Sequence, residues 1–255
     1  MYSNVRGLRG KVAEMRTLRA HQHSDIIFIT ESWLSPDISD EEMHVTGMEL
    51  FRRDREHRAG GGVAIYVNSC LKARMVSDTA LTQLPESLWC YFTLHSTKYL
   101  LGVIYRSPTC SPTHKEMIIK AILTTSSANY DSVVIAGDFN TPSILFETEG
   151  RRIRSFNQKL KDAIKTAGLS EKVGDATRWG PNGNASRLDY VLTNDELLIE
   201  DVCIQPPLGL SDHAVITFSM ITREALQLET PNTFPCYSKA NYETMRDYLM
   251  NASWP

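Results

Sequence analysis

Carboxylate, amide and imidazole side chains stand at the ends of apolar runs in five places along the sequence. Four are the strings Thr30-Glu31-Ser32-Trp33, Gly137-Asp138-Phe139-Asn140, Ser186-Arg187-Leu188-Asp189-Tyr190 and Ser211-Asp212-His213; the fifth is Asn4. Glu31, Asp138 and Asp189 end or interrupt the strand-like runs 25–30, 132–136 and 188–192, and Ser211-Asp212-His213 precedes the run 214–218. A charged group beside an apolar strand is costly to bury unless it has a partner or a metal. Several such groups at strand ends therefore predict one shared site at one edge of the sheets. Glutamate, aspartate and asparagine oxygens suit a hard cation such as magnesium, and a histidine among carboxylates suits phosphoryl chemistry.

Each residue also has an ordinary structural reading. Glu31 could be a solvated strand end, Gly137–Asn140 and Ser211-Asp212 turn chemistry, His213 a hydrogen-bonded structural histidine, and Tyr105 a core residue. His21, His23, His44 and His57 lie in polar contexts and read as solvated, and Cys110 as inert.

The elements that must position these groups are legible as periodicity. Residues 7–21 carry Leu8, Val12, Met15 and Leu18 on one helical stripe. Further helices are expected over 113–126 and over 151–167, the latter with Ile153, Phe156, Leu160 and Ile164 at helical spacing. Strands are expected at 25–30, 62–67, 88–94, 99–105, 132–136, 188–192, 201–205 and 214–220. Strands outnumber helices and are often adjacent, which favours packed sheets flanked by helices over a simple alternating order. The stretch 222–236, with Pro231 and Pro235, reads as a linker, followed by a short amphipathic helix with Tyr242, Met245 and Leu249 on one stripe. Met1-Tyr2-Ser3 leave little room for a full strand before Asn4, so the first strand is expected to be short.

Composition sets outer limits. The chain has 255 residues, 42% of them hydrophobic, enough for one large core. Its net charge of −3 lacks the footprint of a tight non-specific nucleic-acid binder, although a local basic patch could still touch phosphate. Five widely spaced cysteines without a C-x-x-C pair argue against a disulfide framework or a zinc site and for a reducing compartment. No apolar leader and no membrane-length run is visible, so the sequons Asn184-Ala185-Ser186 and Asn251-Ala252-Ser253 are expected to be unused.

In order, Asn4, Glu31, Tyr105, Asp138-Phe139-Asn140, Asp189 and Asp212-His213 resemble the signature of the exonuclease–endonuclease–phosphatase superfamily. The strings Asn4–Lys11, Ile27–Leu34, Gly60–Val67, Val103–Pro108, Gly137–Asn140 and Arg187–Leu192 look most like the endonuclease domain of non-LTR retrotransposon polyproteins. The resemblance covers residues 2–220. It implies an α/β four-layer sandwich, two mixed sheets face to face with helices outside, as one domain over 1–221. Residues 222–255 would then be a linker and short helix of the kind that precedes a reverse transcriptase, and no reverse-transcriptase sequence follows here.

The resemblance also assigns roles. Glu31 with Asn4 is the principal metal site, for magnesium or manganese, with Asp212 close by. Tyr105 contacts the scissile phosphate, Asp138 activates water or protonates the leaving oxygen, Asn140 orients the phosphate, and Asp189 orients His213. Base-repair members tend to carry Asp two residues after the Asn; here that residue is Arg6, which speaks against an abasic-site enzyme.

The expected function is a metal-dependent DNA endonuclease that nicks duplex DNA, leaves a 3′-hydroxyl, and works in the nucleus. Its rivals are an abasic-site nuclease or phosphatase of the same superfamily and a catalytically dead nucleic-acid-binding remnant. Gly60-Gly61-Gly62 lacks phosphate-loop spacing and reads as a turn. Arg52 and Arg53, in the charged run before it, are candidate DNA contacts, with a solvated charged hairpin as the alternative. The turn-rich loop 178–186 leads into the Asp189 strand. It is expected at the rim of the site, with Arg178, Trp179 and Ser186 against DNA.

Overall fold

The computed structural model describes residues 1–56, 58–141, 155–180, 182–222 and 241–251. In chain order the strands are β1 (Tyr2–Asn4), β2 (Ile26–Thr30), β3 (Met48–Arg53), β4 (Val63–Asn68), β5 (Arg74–Met75), β6 (Ser87–Leu94) and β7 (Thr97–Tyr105). They continue with β8 (Ser132–Asp138), β9 (Ser170–Glu171), β10 (Arg178–Trp179), β11 (Ala185–Ser186), β12 (Asp189–Thr193), β13 (Ile199–Gln205) and β14 (Val215–Met220). The helices are α1 (Val12–Gln22), α2 (Thr79–Thr82), α3 (Pro112–Thr125), α4 (Phe156–Thr166) and α5 (Tyr242–Asn251).

The strands form two six-stranded sheets, ordered β13-β14-β1-β2-β4-β3 and β5-β6-β7-β8-β12-β9, plus the small β10-β11 hairpin. Each large sheet is mixed: β1–β2 and β7–β8 are parallel and the remaining pairs antiparallel.

Side-chain alternation separates the layers. Ile27, Ile29, Ala64 and Tyr66 face outward to Val12 and Met15 of α1. On the other sheet Trp89, Leu100, Ile104, Val133, Ile135, Tyr190 and Leu192 face outward to Ile118 and Ile122 of α3 and Leu160 and Ile164 of α4. The alternate residues, Phe28, Ile65, Leu101, Val103, Val134 and Val191 among them, are buried between the sheets. The result is the expected four-layer α/β sandwich. This compact unit ends at Glu224, and α5 lies in a separate unit, Ala225–Pro255.

Strand direction is what builds the site. The parallel pairs β1–β2 and β7–β8 all finish at one end of the sandwich, where Asn4 pairs in register with Thr30 and Tyr105 with Asp138. The antiparallel neighbours β12 and β14 begin at that same end, with Asp189 opposite Asp138 and Val215 opposite Ser3. Residues far apart in sequence therefore converge because their strands share one edge. Gly137 is part of this arrangement, since a Cβ there would stand 2.1 Å from the Ile104 carbonyl oxygen of β7.

Several boundaries differ from the sequence reading. The first helix does not start at residue 7: Gly7 has a φ of +99°, a short 3-10 turn covers Arg9–Lys11, and α1 begins at Val12. The helix expected over 151–167 is observed as α4, capped by the Ser155 hydroxyl, which accepts from Gln158 N. Its forecast first turn, with Ile153, lies outside the described residues, as do most of the linker 222–236 and His57. The charged run at Arg52-Arg53 does lie on a hairpin, β3–β4, but it is not simply solvated: the Arg52 side chain is only 14% exposed, and Leu50 of β3 packs on the α1-side core. Gly60, Gly61 and Gly62 all have positive φ and form the expected turn into β4. β1 has three residues, is buried and is paired on both edges, and the Met1 amine donates to Ile26 O at 2.9 Å.

Candidate active site

Asp189, the first residue of β12, is fully buried and meets three donors. Tyr2 Oη donates to its Oδ1 at 2.7 Å, Thr177 Oγ1 donates to Oδ2 at 2.6 Å, and His213 Nδ1 lies 2.8 Å from Oδ2. Thr177 also accepts from the backbone N–H of Leu188 and Asp189, which fixes the start of the strand. A buried carboxylate so engaged holds the imidazole in one orientation and one tautomer. Burial works to lower the His213 pKa, but the charges of Asp189, Asp138 and Asp212 outweigh it and raise it.

The other imidazole nitrogen, Nε2, lies 3.9 Å from Asp138 Oδ2. Asp138 is buried at the end of β8 and accepts from Asn4 Nδ2 at 2.9 Å and from the Asn140 backbone N–H at 2.8 Å. Burial, and then the charge of Asp189, push its pKa from 3.8 to about 8. The Asn140 side chain is turned to the backbone, donating to Arg106 O at 2.8 Å, so it braces the chain just after Tyr105.

Asn4 Nδ2 also donates to Glu31 Oε1 at 3.0 Å, so one amide joins Glu31 to Asp138. Trp33 Nε1 donates to Glu31 Oε2 at 3.1 Å. Burial, then Glu31 by charge and by hydrogen bond, raise the Tyr105 pKa well above its usual value. Four non-glycine residues at this end, Arg6, Glu31, Trp33 and Asn140, have φ between 45° and 52°, and such strain tends to collect at functional sites.

Two corners of this network could hold a metal. Asp138, Asp189 and His213 offer ligand atoms within 4.8 Å of one another. Both Asp189 oxygens, however, are already hydrogen-bonded, and removing those donors would strand buried polar groups. The corner of Glu31, Asn4 and Asp138 fits a hard cation better. It gathers two carboxylates around an amide whose oxygen is a further ligand once the amide is turned.

Asp212 belongs to neither corner. Its Oδ1 accepts from Arg6 Nη1 at 3.0 Å and its Oδ2 from Arg178 Nε at 2.8 Å. With each oxygen held by a guanidinium, Asp212 faces Arg6 and Arg178.

The loop 178–186 does reach the rim, as the β10–β11 hairpin. It pairs Arg178 with Ser186 and binds the segment before β14 through Trp179 N to Asp212 O (3.0 Å) and Ala214 N to Thr177 O (2.8 Å). Trp179 and, across the site, Trp33 are large apolar side chains left exposed.

Arg52 and Arg53, by contrast, are used inside the fold. Arg52 pairs with Asp40 and Asp54, and Arg53 donates to the carbonyls of Thr82, Leu84 and Ser87. All three nitrogens of the Arg52 guanidinium and Nη1 of Arg53 are engaged within the fold, because the loops packed beside β3 present these acceptors to its end.

Sequence reasoning missed Tyr2 and Thr177, and gave Ser211 no role beyond a polar turn. Tyr2 was legible by strand period, being on the same face of β1 as Asn4. Thr177 carried no local signal. Ser211 Oγ donates to Asn4 O at 2.7 Å and accepts from His213 N at 3.2 Å, so it ties the two ends of the site together.

Comparison with known proteins bears on this geometry. Comparison with curated protein sequences found no match. Among solved structures, the endonuclease domain of TRAS1, a telomere-specific non-LTR retrotransposon, superposes with a TM-score of 0.67 at 16% identity, covering 88% of this chain and 97% of its own. The AP endonuclease LMAP from Leishmania major has a TM-score of 0.68 at 15% identity, with 87% of each chain covered. The 3′ phosphatase NExo from Neisseria, bound to a product DNA hairpin, has 0.63 at 17% identity, covering 87% of this chain and 98% of its own. At such identities these likenesses establish the fold alone. The family model described as Endonuclease/Exonuclease/phosphatase family matches residues 1–213, a span that holds every residue of the network from Tyr2 to His213, and the chain belongs to that family.

Proposed function

We propose that this chain is a divalent-metal-dependent DNA endonuclease that hydrolyses a phosphodiester, nicks one strand and leaves a 3′-hydroxyl. In a retrotransposon such an end primes reverse transcription, and the likeness to the TRAS1 domain supports that setting. The observation that carries the reading is the position of Asp138. It touches Asn4 of the Glu31 corner and stands 3.9 Å from His213 of the Asp189 corner, so proton handling and phosphate binding meet at one carboxylate.

Glu31, Asn4 and Asp138 would hold a divalent cation, which would supply charge neutralisation for the phosphate and the departing 3′-oxygen. The protein's own groups do the rest. Asp138 in its carboxylate form takes a proton from the attacking water; without a metal its raised pKa makes that form the minor one at neutral pH and the major one above about 8. As the water oxygen bonds to phosphorus, the bond to the 3′-oxygen breaks, and that oxygen takes a proton from solvent water to become the 3′-hydroxyl. His213, held by Asp189 and with its pKa raised by the neighbouring carboxylates against its burial, contacts a non-bridging phosphate oxygen. Tyr105, hydrogen-bonded to Glu31 and kept protonated, donates to the phosphate from the other side. Arg6, standing two residues after Asn4 and paired to Asp212, supports the general nicking reading over the abasic-site one.

The test is conversion of supercoiled plasmid to the nicked form with magnesium and with EDTA, followed by extension of the nick by a DNA polymerase. Magnesium-dependent nicks that a polymerase extends directly are expected. Activity confined to abasic duplexes or to 3′-phosphate ends would favour the rival branches, and full activity in EDTA would overturn the metal requirement.

A further inference from the structure

The ion-paired trio Arg6–Asp212–Arg178 stands beside the proposed centre without being part of it. Asp212 adjoins His213, and its side chain is 20% exposed, yet each of its oxygens faces a guanidinium. Each arginine gives it a single N–H. Arg6 uses Nη1 and Arg178 uses Nε, and neither guanidinium makes another ion pair or side-chain hydrogen bond that the described residues record. An arginine carries five N–H donors, so both retain most of their donors, and their side chains are 47% and 37% exposed. Both are also fixed at the backbone. Arg6 sits in a left-handed turn between β1 and α1, with its N–H on Asn4 Oδ1 at 3.3 Å and Lys11 Nζ on its carbonyl at 3.3 Å. Arg178 is registered by the β10–β11 hairpin and by a bridge to His213.

This differs from Arg52, Arg53 and Arg55, whose guanidiniums end on internal acceptors. Two arginines held side by side by one carboxylate, with a net charge of +1 and spare donors at the surface, match a phosphate diester. Arginine suits that partner through its planar fork of donors.

Building on the proposed endonuclease function, we propose that Arg6 and Arg178 form a clamp for a DNA backbone phosphate adjoining the one cleaved. Asp212 is the positioning residue that aims both guanidiniums. The clamp neutralises backbone charge, reads no base, and sets how the duplex lies across His213 and Asp138.

Binding can be separated from chemistry. Anisotropy of a labelled duplex is measured in EDTA across a salt series for wild type, Arg6→Gln and Arg178→Gln, with Arg74→Gln, on the exposed strand β5, as control. Melting curves verify that each variant is folded. Each clamp variant is expected to reduce the slope of log K against log salt by about 1, and the control to leave it unchanged. The second arm is nicking by Asp212→Asn as a function of magnesium. A several-fold lower rate at saturating DNA with an unchanged magnesium midpoint is expected of a positioning residue. Folded clamp variants with the wild-type salt slope would overturn the clamp, and a magnesium midpoint shifted tenfold or more would make Asp212 a ligand instead. Failure of the wild type to bind duplex at all would overturn the endonuclease reading and the clamp with it.

Discussion

The two halves of the site are built differently although they touch. The Asp189 half is closed: a fully buried carboxylate accepts from Tyr2 and Thr177 and holds His213, all from sheet-anchored positions. The Glu31 half is half-open: Glu31 follows β2 in a strained turn and, among the described residues, its side chain meets an asparagine amide, an indole N–H and a tyrosine. A closed, satisfied carboxylate is suited to hold one imidazole geometry. An under-satisfied, partly open one is suited to take up a cation. If this division is correct, substitutions in the two halves should fail in different ways.

The largest effect is expected from Glu31→Gln. Loss of an anionic ligand should cut nicking by more than about a hundredfold, with little change in melting temperature because Glu31 is not a packing element. A large fall in melting temperature would mean that the open half is structural. His213→Ala comes next, with a single-turnover rate lower by about a hundredfold, the scale of losing one positioned donor to transition-state charge. A near wild-type rate would remove His213 from the mechanism.

Thr177→Val should act on stability rather than on metal use. It leaves Asp189 and two backbone N–H groups short of a buried partner, at a cost of roughly 1–3 kcal/mol. Urea unfolding measures this, and a change below about 0.5 kcal/mol, the usual range of surface substitutions, would mean that the closed half is not held as described.

Asp138, at the junction, gives the most diagnostic shift. Its pKa rises from 3.8 to about 8 on folding without a metal. A raised carboxyl favours the fold while it stays protonated, and that contribution is lost as pH climbs from about 4 toward 8. Asp138→Asn should therefore raise the melting temperature in EDTA, and by more at pH 8 than at pH 5. The buried Met1 amine, lowered to about 5, acts in the opposite direction, with stability falling as pH drops from 8 to 5. It is common to both proteins and cancels in the difference. Equal shifts at the two pH values would contradict the burial of Asp138 charge.

Much of this contrast was legible in the sequence, and the reason is geometric. Glu31, Asp138 and Asp189 are each the residue where an apolar run meets polar sequence, and parallel and antiparallel strands brought those ends to one edge. What escaped was set by tertiary contact. Thr177 enters a short hairpin and carries no periodic signal. Arg52 and Arg53 look like free cations in a charged run, yet acceptors from distant loops reach them. Asp212 resembles a ligand by its place before His213, but two arginines distant in sequence pair with it. Strand ends are local information, whereas ion-pair partners are not.

The division of labour is tested most directly by single-turnover plasmid nicking across a magnesium titration, with wild type, Glu31→Gln and Asp189→Asn compared side by side. The account predicts no nicking in EDTA, a magnesium midpoint raised tenfold or more for Glu31→Gln, and a lower plateau with an unmoved midpoint for Asp189→Asn. Nicking in EDTA, or equal midpoint shifts in the two variants, would contradict it.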